Sequence, residues 1–309
     1  MTTVRGDTAD RQHQVDVEEV EYLRHGGKSY LARILKPRGA GPFPAVLEAH
    51  GGAWCVGDRM NNESVNLPVA AGGVVVVSVD YRLPPDTTYP GSVADVHYAI
   101  RWLKSRAESL NSRPELVGAM GSSAGGHLTL LSAMKPDDPR YAAITLAGGG
   151  QFDARVPYLV SLWPALCPLD SYHERRDFEA VNGPPRMGGK VFWEKYWNTE
   201  AAMAEGSPVL ALERGDRVEL PNVLYLKNAS EPVEARHTTP QALLDRFVNG
   251  YRKAGGQLEI ELFEGEDYDH IRTHPDSQSA LQAFQKIIAY IHRQAGAVAR
   301  HGATAGIGH

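Results

Sequence analysis

A serine lies at the centre of the motif GSSAG, which spans residues 121–125. The apolar segment ELVGAM leads into this motif, and the helix-like segment AGGHLTLLSAM leads out of it. The pattern Gly-x-Ser-x-Gly between a strand and a helix is typical of a sharp turn that lifts a serine hydroxyl to the end of a sheet, where it can act as a nucleophile. The sequence therefore predicts Ser123 as a candidate catalytic nucleophile.

A second glycine-rich segment, HGGAW at residues 50–54, follows another apolar run. Two glycines in succession leave backbone N–H groups accessible to an approaching atom. Such donors can stabilise a carbonyl oxygen that becomes an oxyanion during nucleophilic attack. We expect His50 to fix this loop rather than to act as a base, and Trp54 is a candidate for contact with substrate.

Four stretches together resemble the α/β-hydrolase fold, and more narrowly the hormone-sensitive-lipase-like carboxylesterases with the related feruloyl-esterase and kynurenine-formamidase branch. They are HGGAW, DYRLPPDTTYP at 80–90, GSSAGGHL at 121–128, and the C-terminal acid and histidine loops. This resemblance implies that the N–H groups of Gly52, Ala53 and Ala124 form the oxyanion hole. It also implies a catalytic triad in the chain order serine, acid, histidine.

The histidine of such a triad follows the last strand of the sheet. The segment LEIELFEGEDYDH places His270 at this position, with His274 as the alternative. Many relatives have Gly-Phe directly after the histidine, whereas Ile271 and Arg272 stand here. This departure indicates a different rim around the site. Tyr268, two residues before His270, is a second candidate for contact with substrate.

The triad acid follows the penultimate strand, where the segment VLYLKNASEPVEAR offers Glu231 directly before Pro232. The family usually has Asp-Pro at this point, so the carboxylate here is longer by one methylene. Glu234, Asp267 and Asp269 are the alternatives. Glu231 is preferred because it alone combines the strand, the loop and the proline.

Alternating strand-like and helical segments predict an α/β fold with a mostly parallel central sheet flanked by helices. One α/β-hydrolase domain is expected over residues 16–295, with disordered ends at 1–15 and 296–309. An aromatic-rich section at about 151–220 interrupts the alternation and predicts an inserted cap over the site. The predicted strands are 17–22, 29–35, 45–49, 74–79, 142–147, 223–226 and 258–263, the first two joined by a hairpin turn.

Composition limits the partners of this chain. Its net charge of −5 over 309 residues argues against nucleic acid, which is bound by clustered Lys and Arg. The apolar run at 69–79 is too short to span a membrane, which needs about 20 residues. Cys55 and Cys167 lack metal-binding spacing. We therefore expect a cytoplasmic protein with no metal, no cofactor and a small-molecule substrate; a homodimer is left open.

These observations predict a serine hydrolase that cleaves a small to medium acyl substrate, a carboxylic ester above all, through Ser123, His270 and Glu231. Amides, formamides, carbamates and lactones react by the same acyl-enzyme chemistry, and the sequence does not separate them. The fold also hosts lyases, C–C bond hydrolases and non-catalytic ligand-binding proteins, which are the alternative classes.

Overall fold

A computed structural model of the chain describes residues 12–148, 150–183, 189–229, 240–265 and 267–305, with side chains as far as residue 300. Its strands form one sheet in the order β1-β2-β4-β3-β5-β6-β7-β8. The pairs β1–β2 and β2–β4 are antiparallel, and every other neighbouring pair is parallel. The strands are β1 Val15–His25, β2 Lys28–Pro37, β3 Ala45–Ala49, β4 Val75–Val79, β5 Val117–Ser122, β6 Tyr158–Leu162, β7 Asn222–Asn228 and β8 Leu258–Phe263.

Helices cover both faces of the sheet, so the predicted fold class is confirmed. Strands β3 to β6 are buried along their whole length, because a parallel sheet with helices on both faces has no face in water. Helices α2, α3 and α8 pack on one face, and α1 and α10 pack on the other. The helices are α1 Glu63–Ala71, α2 Gly91–Arg106, α3 Ser123–Met134, α4 Pro168–Asn182, α5 Lys190–Trp197, α6 Glu200–Glu205, α7 Pro208–Arg214, α8 Gln241–Lys253, α9 His270–Thr273 and α10 Gln278–Ala305.

The predicted hairpin at the start of the domain is confirmed. Strands β1 and β2 pair as far as His25 and Lys28, which leaves a two-residue turn. Gly26 and Gly27 fill this turn with φ angles of +57° and +80°. Positive φ at both central residues is the conformation that matches the twist of two antiparallel strands and that glycine adopts without strain.

The predicted strand at 142–147 is wrong. This segment forms turns and loop, and its Ile144 carbonyl accepts a hydrogen bond from Arg101 at 2.6 Å. On the side away from β3, the neighbour of β5 is instead β6, Tyr158–Leu162, with Met120 opposite Val160. Both segments are short apolar runs, and such runs do not reveal which of them pairs. Residues 158–162, which the predicted cap at about 151–220 included, thus belong to the central sheet, and helices α4 to α7 follow them.

The last helix runs to Ala305, so residues 296–305, predicted as part of a disordered tail, are helical. Alanine is the best helix former, and the segment AGAVARHGATA is rich in it. Residues 1–11 of the predicted N-terminal tail lie outside the described part of the chain. No helix in the described ranges combines the length and apolar character needed to cross a membrane.

Candidate active site

Ser123 occupies the turn between β5 and α3, and the predicted strand–turn–helix setting is confirmed. Its φ angle is +49°, a left-handed conformation that non-glycine residues adopt only a few per cent of the time. Such backbone strain of about 1–3 kcal/mol persists only where the surrounding structure enforces it. The turn places Ser123 at the carboxyl end of the sheet, where parallel α/β folds bind ligands.

The glycines around Ser123 allow backbone segments to approach closely. A Cβ atom on Gly125 would lie 2.0 Å from the carbonyl oxygen of Ala49, and one on Gly121 would lie 2.6 Å from the carbonyl oxygen of Gly125. A Cβ atom on Gly51 would lie 3.3 Å from Cβ of Ser123. The end of β3 and the start of α3 are therefore in direct backbone contact, which holds the loop after β3 against the serine.

The loop after β3 presents N–H groups near the start of α3. Three successive residues, Gly52, Ala53 and Trp54, have φ angles of +117°, +48° and +60°. Within the described residues, the N–H groups of Gly52, Ala53 and Ala124 have no hydrogen-bond acceptor. That of Ala124 lies in the first turn of α3, where helix geometry leaves donors unsatisfied and favours an anion. The arrangement is chemically suited to hold a developing negative charge.

His50 fixes this loop, as predicted. Its ring Nδ1 lies 2.6 Å from the carbonyl oxygen of Gly51, and the ring stacks on Tyr81 at a centroid distance of 4.2 Å. The Tyr81 hydroxyl donates to the carbonyl oxygen of His50 at 2.8 Å. Burial lowers the pKa of His50, because the interior disfavours the charged imidazolium.

Trp54 packs within an aromatic cluster rather than facing solvent, with 1% of its surface exposed. Its indole stacks on Tyr196 and meets Trp193 and Trp197 edge to face, all three on helix α5. Its Nε1 donates to Nδ1 of His127 at 3.2 Å. The cluster braces the loop after β3 against α5, and substrate contact by Trp54 stays a prediction.

His270 is the first residue of α9, in the connection that follows β8. A Cβ atom on Gly265 would lie 2.2 Å from Cγ of His270, so the connection packs tightly on the ring. The imidazole stacks on the ring of His274 at 4.4 Å. Ile271, the first of the two residues that depart from the family pattern, is fully buried. It therefore anchors α9 to the domain.

Two sets of contacts link the His270 segment to the turn at Ser123. In the first, Ala165 donates its N–H to the carbonyl oxygen of Ser123 at 3.2 Å, and Trp163 meets Tyr268 edge to face at 6.2 Å. Tyr268 is partly buried, and this burial raises its pKa to about 12. Residues 163–165 thus contact both the nucleophile turn and the residue two positions before His270.

The second set of contacts is made by α1 and the residue directly before it. Asn62, directly before α1, donates to Oγ of Ser122 at 2.8 Å, and Ser64 donates to the carbonyl oxygen of Arg272 at 2.7 Å. No hydrogen bond joins Oγ of Ser123 to His270 within the described residues. Hydrogen bonds between catalytic groups often tighten only when substrate is present. The structure thus places both residues at one edge of the sheet.

The predicted acid, Glu231, and its alternative Glu234 lie outside the described residues, three and six positions after the end of β7 at Asn228. Of the two aspartate candidates, Asp269 is buried and accepts a hydrogen bond from Nε of Arg272 at 2.8 Å. Its carboxylate is thus already engaged by a cation. Asp267 is exposed. Glu231 stays a prediction.

One polar group beside the site was missed from the sequence. Glu48 lies in β3, two residues before His50, and its side chain is fully buried. It joins Asn62, Asn66 and Ser78 in a hydrogen-bond network. The signal in the sequence is a single acidic residue in the apolar run AVLEA. A strand that is buried on both faces rarely contains a charged residue unless that residue has a polar partner.

Comparison with known proteins gives sequence matches over part of the chain and structural matches over most of it. A family model described as BD-FAE matches residues 33–157. Esterase LipC of Mycobacterium tuberculosis is 35% identical over 33% of this chain and 26% of its own length. Versiconal hemiacetal acetate esterase of Dothistroma septosporum is 40% identical over 33% of this chain and 32% of its own length. The chain thus spans about a third of the curated relatives it matches.

The structural match extends over nearly the whole chain. A hyperthermophilic esterase from the archaeon Pyrobaculum calidifontis superimposes with a TM-score of 0.68, covering 94% of this chain and 86% of that one. Sequence identity is 23%, so this likeness concerns the fold. The family model covers the segment that holds both glycine-rich motifs, residues 50–54 and 121–125.

Proposed function

We propose that the chain is an α/β-hydrolase that hydrolyses carboxylic esters through an acyl-enzyme on Ser123, because the family model matches residues 33–157 and the fold is that of known esterases. The observation that carries the proposal is the left-handed turn at Ser123, against which the loop after β3 packs at Gly51. The names of the sequence relatives support ester hydrolysis in particular.

In the first half of the reaction, Oγ of Ser123 attacks the ester carbonyl carbon while His270 takes the hydroxyl proton. The carbonyl oxygen becomes an oxyanion held by the three backbone N–H groups, and each donor is worth about 10²–10³ in rate. The C–O bond of the ester then breaks. His270 gives its proton to the departing alkoxide, which leaves as an alcohol.

In the second half, water attacks the acyl-enzyme, and His270 takes a proton from this water. The tetrahedral intermediate collapses, the acid is released, and Ser123 regains its proton from His270. Glu231 keeps the imidazole in the tautomer that can accept a proton and stabilises the imidazolium. This chemistry uses side chains and backbone donors of the chain and needs no cofactor.

Small to medium acyl groups are the proposed substrates. The packing of helix α5 on the loop after β3 supports a restricted site: Sγ of Cys55 lies 3.3 Å from the carbonyl oxygen of Phe192, and Trp54 is enclosed by the aromatic residues of α5. Such packing limits the space beside the oxyanion donors. Tyr268 is the proposed substrate contact on the His270 side.

The test uses a fluorophosphonate probe and short p-nitrophenyl esters on the purified protein. We expect the probe to label Ser123, located by peptide mass spectrometry, and the esters to be hydrolysed. The Ser123→Ala variant should show no adduct and a kcat lower by about 10⁴–10⁶, with its melting temperature nearly unchanged. Wild-type turnover in Ser123→Ala would refute the nucleophile. Labelling without ester turnover would move the substrate to another acyl class.

A further inference from the structure

Glu48 is a buried carboxyl group that the proposed mechanism does not use. Its side chain is fully buried in β3, and its hydrogen-bond partners are all neutral. They are Nδ2 of Asn62 at 2.7 Å, Nδ2 of Asn66 at 3.2 Å and the hydroxyl of Ser78. Burying an ionised carboxylate without a cation costs several kcal/mol, so such a group tends to become neutral.

The hydrogen-bond pattern around Ser78 indicates that Glu48 carries a proton. The Ser78 hydroxyl has one hydrogen, yet its oxygen contacts both Oε2 of Glu48 and the carbonyl oxygen of Arg59, the latter at 2.8 Å. A carboxylate and a carbonyl are both acceptors. Both contacts are satisfied when Glu48 donates to Ser78 and Ser78 donates to Arg59.

The charged groups near Glu48 do not oppose its neutral form. Glu63 adds a negative charge nearby, offset by its ion pair with Arg33 at 2.7 Å. The Arg59 guanidinium is engaged by Asp80 at 2.8 Å and by Glu19. The buried Tyr81 also lies close enough to interact with Glu48. Burial raises the pKa of Glu48 above its ordinary value.

Asn62 connects this acid to the nucleophile turn. Its amide nitrogen has two hydrogens, and it contacts Oε1 of Glu48 at 2.7 Å and Oγ of Ser122 at 2.8 Å. Ser122 directly precedes Ser123, whose φ angle of +49° must be enforced by its surroundings. Asn62 and Ser122 are both buried. The orientation of Asn62 therefore affects the backbone that aims the nucleophile.

We propose that Glu48 is a neutral carboxylic acid and a positioning residue, which through Asn62 and Ser122 fixes the backbone that directs the Ser123 hydroxyl. The role as a positioning residue rests on the proposed serine mechanism. The protonation of Glu48 does not depend on that mechanism. Loss of that proton at alkaline pH would leave Ser78 between two acceptors, so the network would rearrange and kcat would fall as pH rises.

The first test compares Glu48→Ala with Glu48→Gln. Glu48→Ala should lower kcat for p-nitrophenyl acetate by about tenfold to a hundredfold with little change in KM, since it misaligns the nucleophile. Glu48→Gln keeps one acceptor and one donor, so it should recover most of this loss and remove the alkaline decline of kcat. Wild-type kcat in Glu48→Ala, or equal damage in both variants, would overturn the positioning role.

Asn62→Ala and Asn66→Ala form a matched pair. Both asparagines contact Glu48, and only Asn62 contacts Ser122. Asn62→Ala should lower kcat more than Asn66→Ala does. Equal effects would contradict the connection to the nucleophile turn. This pair also keeps the proposal testable if Glu48→Ala fails to fold.

Infrared difference spectroscopy between the wild-type protein and Glu48→Gln tests the proton independently of activity. We expect the C=O stretch of a protonated carboxylic acid in the wild-type spectrum at neutral pH and its loss in the variant. A carboxylate band in its place would overturn the neutral form. A protein with the protonated band and no probe labelling would show that the proposed function has failed while the neutral acid stands.

Discussion

The nucleophile side and the histidine side of the sheet edge are held by different kinds of contact. On the nucleophile side, residues 49–57 and 121–126, backbone touches backbone, and the separation depends on Gly51, Gly121 and Gly125. On the histidine side, residues 267–274, side chains anchor the segment: Ile271 is buried, and Tyr268 meets Trp163 edge to face. A backbone clamp requires glycine at fixed positions, whereas side-chain anchors can change type. The nucleophile side therefore carries a glycine motif that can be recognised in the sequence.

The largest expected effect is on the histidine side. His270→Gln should lower kcat for ester hydrolysis by about 10⁴-fold, since it removes the general base. His274→Gln, which alters the stacked neighbour 4.4 Å away, is the matched control and should have a much smaller effect. Steady-state kinetics on the two purified variants would decide between them. A larger loss of kcat in His274→Gln would identify His274 as the general base.

The next largest effect concerns the acid. Glu231→Gln should lower kcat by about 10³-fold, because the imidazole loses the group that orients it and stabilises its charge. Asp269→Asn should lower it far less, since the Asp269 carboxylate is engaged by Arg272 at 2.8 Å. The kcat values of both variants on one ester provide the comparison. The reverse ranking would assign the acid to Asp269.

The smallest effect is a pH dependence of stability on the nucleophile side. Burial lowers the pKa of His127 from 6.5 to about 4, because the interior disfavours the imidazolium. In the neutral ring, Nδ1 accepts from Trp54 and Nε2 donates to the carbonyl oxygen of Gly206. Between about pH 4 and pH 6.5, the unfolded chain therefore binds a proton at His127 more readily than the folded chain does. This contribution to stability is complete above pH 6.5 and is lost as pH falls towards 4.

Urea unfolding at pH 7 and pH 5 measures this contribution, which should decrease by about 2 kcal/mol over that interval. In His127→Gln, the free energy of unfolding should decrease over the same pH interval by about 2 kcal/mol less than in the wild-type protein. His97 is the matched control, because burial also lowers its pKa to about 4, yet it contacts the carbonyl oxygen of Pro136 on another part of the domain. His97→Gln should change the pH dependence without lowering kcat, whereas His127→Gln should lower kcat through Trp54. An unchanged pH dependence in both variants would contradict the neutral buried imidazoles.

Local patterns predicted the elements that depend on local physics. The pair Gly26–Gly27 specified a tight hairpin, and the β-branched run before Asp80 specified a strand covered on both faces. The GSSAG motif specified the turn at Ser123. Each of these outcomes depends on backbone conformation or burial of a few consecutive residues, which the sequence states directly.

Pairing between distant segments could not be predicted in the same way. The runs at 142–147 and 158–162 are both short and apolar, and only contact with β5 selects the second. The network of Glu48 was missed for a related reason. Its partners Asn62, Asn66 and Ser78 come from other elements, so no local pattern contains them.

The sequence by itself determined the fold class and the identity of the nucleophile candidate, since glycine spacing and apolar periodicity act within a few residues. Tertiary structure decided which strand lies beside β5, how α1 and residues 163–165 bring the His270 segment to the Ser123 edge, and which buried groups surround the turn. Those outcomes depend on packing between residues that are far apart in the chain.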